Sequence, residues 1–195
     1  MFAYCMNNPV MLVDPSGLCA EAHGGYYYCT NPNCPILIAY KESIESMKIW
    51  KYFRTSISTQ GPEKGNPANI NQVDKRLLER LAIMGQAYNL DHITISEGFR
   101  PWEQQNHFYQ GWIQRKDGFY PANPPGYSWH EYGGAVDIAC WDLQVLSNAD
   151  FEKYGLCRPA TGEDWHIQLI ENNYSSSVDP AVGKTYYESI TFWRK

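Results

Sequence analysis

The chain has 195 residues and a net charge of −5, which allows one domain with a substantial core, or a domain plus an appended segment. That charge, without clustered Lys and Arg, excludes an electrostatic grip on nucleic acid. No apolar run reaches the roughly 18 residues that span a bilayer, and the N-terminus lacks the basic-then-apolar order of a secretory signal peptide, so the sequence reads as soluble.

In chain order, MFAYCMNNPVMLVDPSGL (1–18) is rich in Asn, Pro and Gly turn signals around a short apolar run, a texture unlike the rest. The segment 19–35 is rich in Gly, Tyr and Cys and reads as irregular, and 36–54 reads as a helix. QGPEKGNPANI reads as a loop. Val73, Leu77, Leu78, Leu81, Met84 and Tyr88 then recur at helical spacing, with Asn89 near the end. HITISEGFR (92–100) alternates like a strand, and Pro101 opens a helix to about 115, with Glu103 in its first turn. After a loop rich in Gly and Pro come a strand over 135–140, a helix over 144–154 and a strand over 165–170. The aromatic alternation of KTYYESITFW suggests an edge strand in the tail, 172–195. Mixed helices and strands indicate an α+β fold. The seven Trp and fifteen Tyr are assigned to the core rather than to a sugar-binding surface.

Six cysteines stand at 5, 19, 29, 34, 140 and 157, and their spacings match no standard zinc knuckle. The even count fits disulfides formed in an oxidising compartment, with Cys29–Cys34 and Cys140–Cys157 as candidate pairs, against the alternative of buried free thiols.

The densest chemistry lies in YSWHEYGGAVDIAC (127–140) and GEDWHIQL (162–169). In an extended chain His130 and Asp137 would lie more than about 20 Å apart, so they share a ligand only if the chain folds back. Gly133 and Gly134, midway, supply the backbone freedom for that reversal. His166, at the start of the next strand, can be a third ligand, with Glu163 beside it. Three protein ligands and an open fourth position describe a catalytic zinc site rather than a closed structural one. Such a zinc ion activates water for amide hydrolysis, Glu163 is the candidate proton acceptor, and Arg100 is the candidate cation for the negative charge that develops on the carbonyl oxygen. His23, His92 and His107 have no partners at metal spacing and read as surface or hydrogen-bonded residues.

SWHEYGGAVD resembles the S-x-H-x-x-G-x-A-x-D motif, and EDWH the E-x-W-H motif, of the zinc D-alanyl-D-alanine peptidases and their lysostaphin-type and Hedgehog relatives. SEGFRPWEQQ resembles the segment that precedes those motifs, and the likeness spans about residues 75–170. The resemblance implies a small central antiparallel sheet that carries the zinc site and is flanked by helices, zinc on His130, Asp137 and His166, acid–base duty for Glu163, substrate or transition-state contact for Arg100, and positions near the substrate for Ser128 and Gln104. YCMNNPVMLVDPSGL resembles the closing repeat of Rhs (rearrangement hotspot) and YD-repeat proteins. That resemblance implies cleavage after Leu18, with the toxin domain of an Rhs effector following.

Together these likenesses imply three segments: the end of an Rhs core (1–18), an N-terminal extension with one helix (19–70) and a zinc peptidase domain (71–195). The expected function is hydrolysis of peptidoglycan peptide stems, at D-Ala-D-Ala, L-Ala-D-Glu or the cross-bridge. The expected setting is a secreted effector acting in the periplasm of a target bacterium. Expected partners are the peptidoglycan peptide, the Rhs shell and a cognate immunity protein, with no nucleic acid and no membrane span. The alternatives are a zinc-containing binding module without turnover, and a peptidase with a protein substrate.

Overall fold

Helix α1, Lys75–Ala87, forms where the apolar spacing predicts it. Its Leu77, Leu78, Leu81 and Met84 are buried and form one side of the core, each contributing about 1.5–3 kcal/mol by leaving water. Asp74 caps it, accepting a hydrogen bond from the Arg76 N–H at 2.9 Å. The same buried carboxylate pairs with the Arg76 guanidinium at 2.7 Å and accepts from the Tyr186 hydroxyl at 2.6 Å. The Asp74 N–H donates to the Gly133 carbonyl at 2.8 Å, so this residue also ties the helix to the Gly-Gly turn. The computed structural model describes residues 22–23, 26–27, 51–172 and 175–190.

Two short strands, β1 (Ala22–His23) and β2 (Tyr26–Tyr27), pair with each other. The main sheet contains β3 (Phe53–Thr55), β4 (Ile93–Glu97), β5 (Ala135–Ile138), β6 (Leu156–Cys157) and β7 (His166–Leu169), in the order β3-β4-β5-β7-β6. All neighbours are antiparallel except β3 and β4, so the expected antiparallel sheet carries one parallel edge. Cross-strand partners share a face. Val136 and Ile167 point at the α1 core, and Asp137 and His166 point to the opposite side. On β4, Ile95 pairs with Ile138 but Glu97 pairs with Asp137, which leaves one extra residue at Ser96. This bulge reverses the alternation. Glu97, which would otherwise follow Ile93 and Ile95 into the core, lies beside Asp137.

Helix α2, Trp102–Ile113, follows Pro101 as expected. The helix expected over 144–154 is two short ones, α3 (Trp141–Gln144) and α4 (Asn148–Glu152). Ser147 interrupts them because it forms a capping box with Asp150 and starts a new helix. The expected tail strand is instead helix α5, Pro180–Ser189. Asp179 caps its Ala181 and Val182 N–H groups, and Pro180 occupies the first turn, where a missing N–H costs nothing. The helix predicted over 36–54 ends differently: Phe53 and Arg54 belong to β3, with Phe53 buried opposite Ile93, and 36–50 lies outside the described residues. The sheet therefore takes its edge strand from the segment assigned to the N-terminal extension.

Cys140 and Cys157 are free thiols. Strand β7 lies between β5, which leads to Cys140, and β6, which holds Cys157, so the two are at least about 10 Å apart, beyond disulfide reach. Burial pushes the Cys157 thiol up to about 12. Cys5, Cys19, Cys29, Cys34 and the Rhs-like segment lie outside the described residues. Among the described residues no helix is long and apolar enough to cross a membrane.

Gly133 has φ +70°, and a Cβ there would lie 2.1 Å from the Gln72 carbonyl oxygen. Gly118 has φ +82° and open space around it. Urea denaturation should show Gly133→Ala losing at least about 2 kcal/mol and Gly118→Ala only about 1 kcal/mol. Equal losses would mean that the close approach to Gln72 is relieved without cost.

Candidate metal centre

Three elements deliver three side chains to one point. His130 sits on a 3-10 turn, Trp129–Tyr132, whose first N–H groups are capped by Ser128 and Glu131 acting reciprocally. Gly133 then takes a left-handed conformation and the chain reverses into β5, carrying Asp137 back toward His130. His166 opens β7 directly opposite Asp137. His130 Nε2 lies 3.1 Å from His166 Nδ1 and 3.2 Å from Asp137 Oδ1, and His166 Nδ1 lies 3.0 Å from the same oxygen.

This near-equilateral triangle can hold a metal ion. A tetrahedral ion with bonds of about 2.0–2.1 Å spaces its ligand atoms about 3.4 Å apart, within a few tenths of an ångström of the triangle's edges. The proton positions agree. His130 Nδ1 donates to the Gly98 carbonyl at 2.8 Å, and because a carbonyl only accepts, the lone pair is left on Nε2, facing the other two ligands. The second ring nitrogen of His166 faces Gln168 Oε1 at 2.8 Å.

Electrostatics favours one anion between two imidazoles. Burial lowers the His130 pKa to about 4, and the Arg100 charge adds to the effect. Burial by itself would raise Asp137, but the two histidines outweigh it and hold the carboxyl well below the usual range. Burial also works against the charged form of His166, yet its hydrogen bond to Asp137 and the charge of that carboxylate leave its pKa raised.

Glu163 is partly buried on the turn before β7, close enough for the charges of His166, Asp137 and Arg100 to act on it. Burial raises its pKa, Asp137 adds to the rise, and His166 and Arg100 oppose it. Arg100 is held beside Asp137. Its Nη1 donates to Gln105 Oε1 at 2.8 Å, its Nη2 lies 3.5 Å from Asp137 Oδ2, its Nε lies 3.7 Å from Glu97, and its guanidinium covers the Phe108 ring. Ser128 is buried as the cap of the turn. Gln104 is directed elsewhere than expected: its amide bonds Gln60 O and the Glu63 N–H, fastening the loop before α1. Gln105, one position along and on a different face of α2, is the residue that meets Arg100.

Glu97, Gln105 and Gln168 are the neighbours that the sequence reading missed. Burial raises the Glu97 pKa, with Arg100 lowering it and Asp137 raising it. Only the bulge places Glu97 here, and strand alternation alone assigns it to the core. The Tyr120 ring meets Trp165 edge-on at 5.7 Å, setting an exposed aromatic next to the turn that carries Glu163.

No protein-family profile, curated protein or solved structure matches the chain. The site's own geometry therefore carries the chemical reading. Competition with a chromogenic chelator should show one tightly held zinc per chain. Asp137→Ala should weaken it by more than the roughly 10–100-fold typical of losing a supporting residue. Undiminished binding by that variant would remove Asp137 from the ligand set.

Proposed function

We propose that the protein is a zinc-dependent peptidase that hydrolyses the peptide stems of bacterial peptidoglycan, delivered as the toxic tip of an Rhs-type effector. The observation that carries this reading is the buried His130–Asp137–His166 triangle with Glu163 at its side. A hydrolytic metal centre needs three protein ligands and a nearby carboxylate that does not itself bind. The peptidoglycan target rests on the likeness of SWHEYGGAVD and EDWH to the zinc D-alanyl-D-alanine peptidases. The delivery route, the periplasmic site of action and a cognate immunity protein rest on the Rhs-like string at 1–18.

Bound zinc would supply Lewis acidity and lower the pKa of water toward 7. Within this chain, Glu163 accepts the proton from the attacking water and passes it to the leaving amine. Its raised pKa suits both duties, since a base must give the proton up again. Asp137 is kept ionised by the two imidazoles, Arg100 pairs with its second oxygen at 3.5 Å, and Glu97 and Gln105 hold that guanidinium in place. Arg100 spends one Nη1 hydrogen on Gln105 and one Nη2 hydrogen on Asp137, which leaves others for the oxygen that becomes negative.

Zinc-loaded protein incubated with purified peptidoglycan should release peptide fragments with new termini, identified by mass spectrometry. Glu163→Gln should retain zinc and lose roughly 100- to 10,000-fold in rate. Release by neither protein, with zinc bound, would contradict the cell-wall reading and favour a binding module or a protein substrate. The pH profile gives a second check. A base is lost as pH falls through its pKa, so a raised Glu163 pKa moves the acid limb of kcat/KM above the ordinary glutamate value of about 4.3. A limb at or below that value would exclude Glu163 as the base.

A further inference from the structure

We infer that Gln168 is a positioning residue for the metal centre, fixing the His166 proton on Nε2 so that Nδ1 is left bare toward Asp137 and His130. This inference rests on the metal-binding part of the proposed function. Gln168 is completely buried on β7 between Ile167 and Leu169, where an amide is costly unless both of its ends are hydrogen-bonded. Both ends are used. Its Nε2 donates to the Ser175 carbonyl at 3.1 Å, and its Oε1 lies 2.8 Å from His166 Nε2.

The direction of this chain follows from its last member. A backbone carbonyl only accepts, so Ser175 O requires the NH2 end of Gln168 and turns the oxygen end to His166. His166 must then donate from Nε2. Ser175 does not itself need Gln168, because the Trp129 indole N–H already donates to the same carbonyl at 3.0 Å. The amide therefore serves the imidazole.

Through Ser175 the arrangement reaches both histidines, since Trp129 precedes His130 on the 3-10 turn. The segment after Ser175 is fastened to the same region. Asn123 Nδ2 donates to Ser176 O at 2.7 Å, Ser177 bridges to Ser128, and the Val178 N–H donates to Tyr127 O at 3.0 Å. The Trp129 ring packs edge-on against Tyr186 of α5 at 5.2 Å. The tail, outside the span of the peptidase likeness, thus supports the centre.

The test is zinc affinity of the intact chain, measured by chelator competition for wild type, Gln168→Met and Gln168→Glu. Methionine keeps the volume and removes the acceptor, whereas glutamate keeps an acceptor for the Nε2–H. Gln168→Met should lose 10–100-fold in affinity, and Gln168→Glu should recover most of that loss. Tyr52→Phe, which loses a hydrogen bond to Leu90 O on the far side of the core, should lower stability without changing zinc affinity. Affinity of Gln168→Met within twofold of wild type, or equal losses in the Met and Glu variants, overturns the inference. Wild-type protein that binds no zinc instead removes the metal reading itself, so the two failures are distinguishable. Should Gln168→Met not fold, the long-range 1H–15N spectrum of His166 as neutral imidazole in zinc-free wild type decides. A proton on Nε2 supports the inference, and a proton on Nδ1 overturns it.

Discussion

The site depends on one buried carboxylate with two differently engaged oxygens. Asp137 Oδ1 faces the two imidazole nitrogens and Oδ2 faces Arg100. An ionised carboxylate in the interior costs several kcal/mol unless it is surrounded by partners, and here the partners come from three directions. His130 arrives from a 3-10 turn, His166 from the neighbouring strand and Arg100 from the chain leaving β4. Each of these elements must be in register for Asp137 to be tolerable, so folding and assembly of the centre are one event.

The sheet provides that register. Glu97, Asp137 and His166 form a row across β4, β5 and β7 on the face away from α1. A slip of one residue would exchange this row for core aliphatic residues, so the packing of Ile95, Val136, Ile138 and Ile167 against α1 holds the polar row in place. The bulge at Ser96 is a local departure from this register. It brings a second carboxylate, Glu97, to the Arg100 guanidinium without disturbing the apolar side.

That His130, Asp137 and His166 come together was legible in the sequence because the signals are local: two histidines and an aspartate, a Gly-Gly reversal and a strand start. Helix α1 was legible from its spacing, and β4, β5 and β7 from theirs. Glu97 was hidden because a bulge inverts strand alternation and leaves no mark in the composition. Gln168 was hidden because its purpose appears only when Ser175, seven residues on, returns to it. Gln104 came from the likeness of SEGFRPWEQQ to the family segment, and a motif match does not show which way a side chain of α2 is directed; the packing turns Gln105 to Arg100 instead. The tail was misread because the aromatic-rich KTYYESITFW suggests a strand, whereas the Asp179-Pro180 start and the seat of Gly183 against the Tyr132 ring favour a helix. The candidate Cys140–Cys157 pair fails on strand order, which sequence spacing does not encode.

The arrangement amounts to a candidate metal site held from both sides, by the core through strand register and by the tail through Gln168 and Trp129. The triangle of His130, Asp137 and His166 has the spacing to bind a single ion. Crystals of zinc-saturated protein, measured at the zinc absorption edge, should show one anomalous peak at about 2.0–2.2 Å from His130 Nε2, Asp137 Oδ1 and His166 Nδ1 together. Zinc bound only elsewhere, with these three atoms free of it, would rule out the triangle as the metal site.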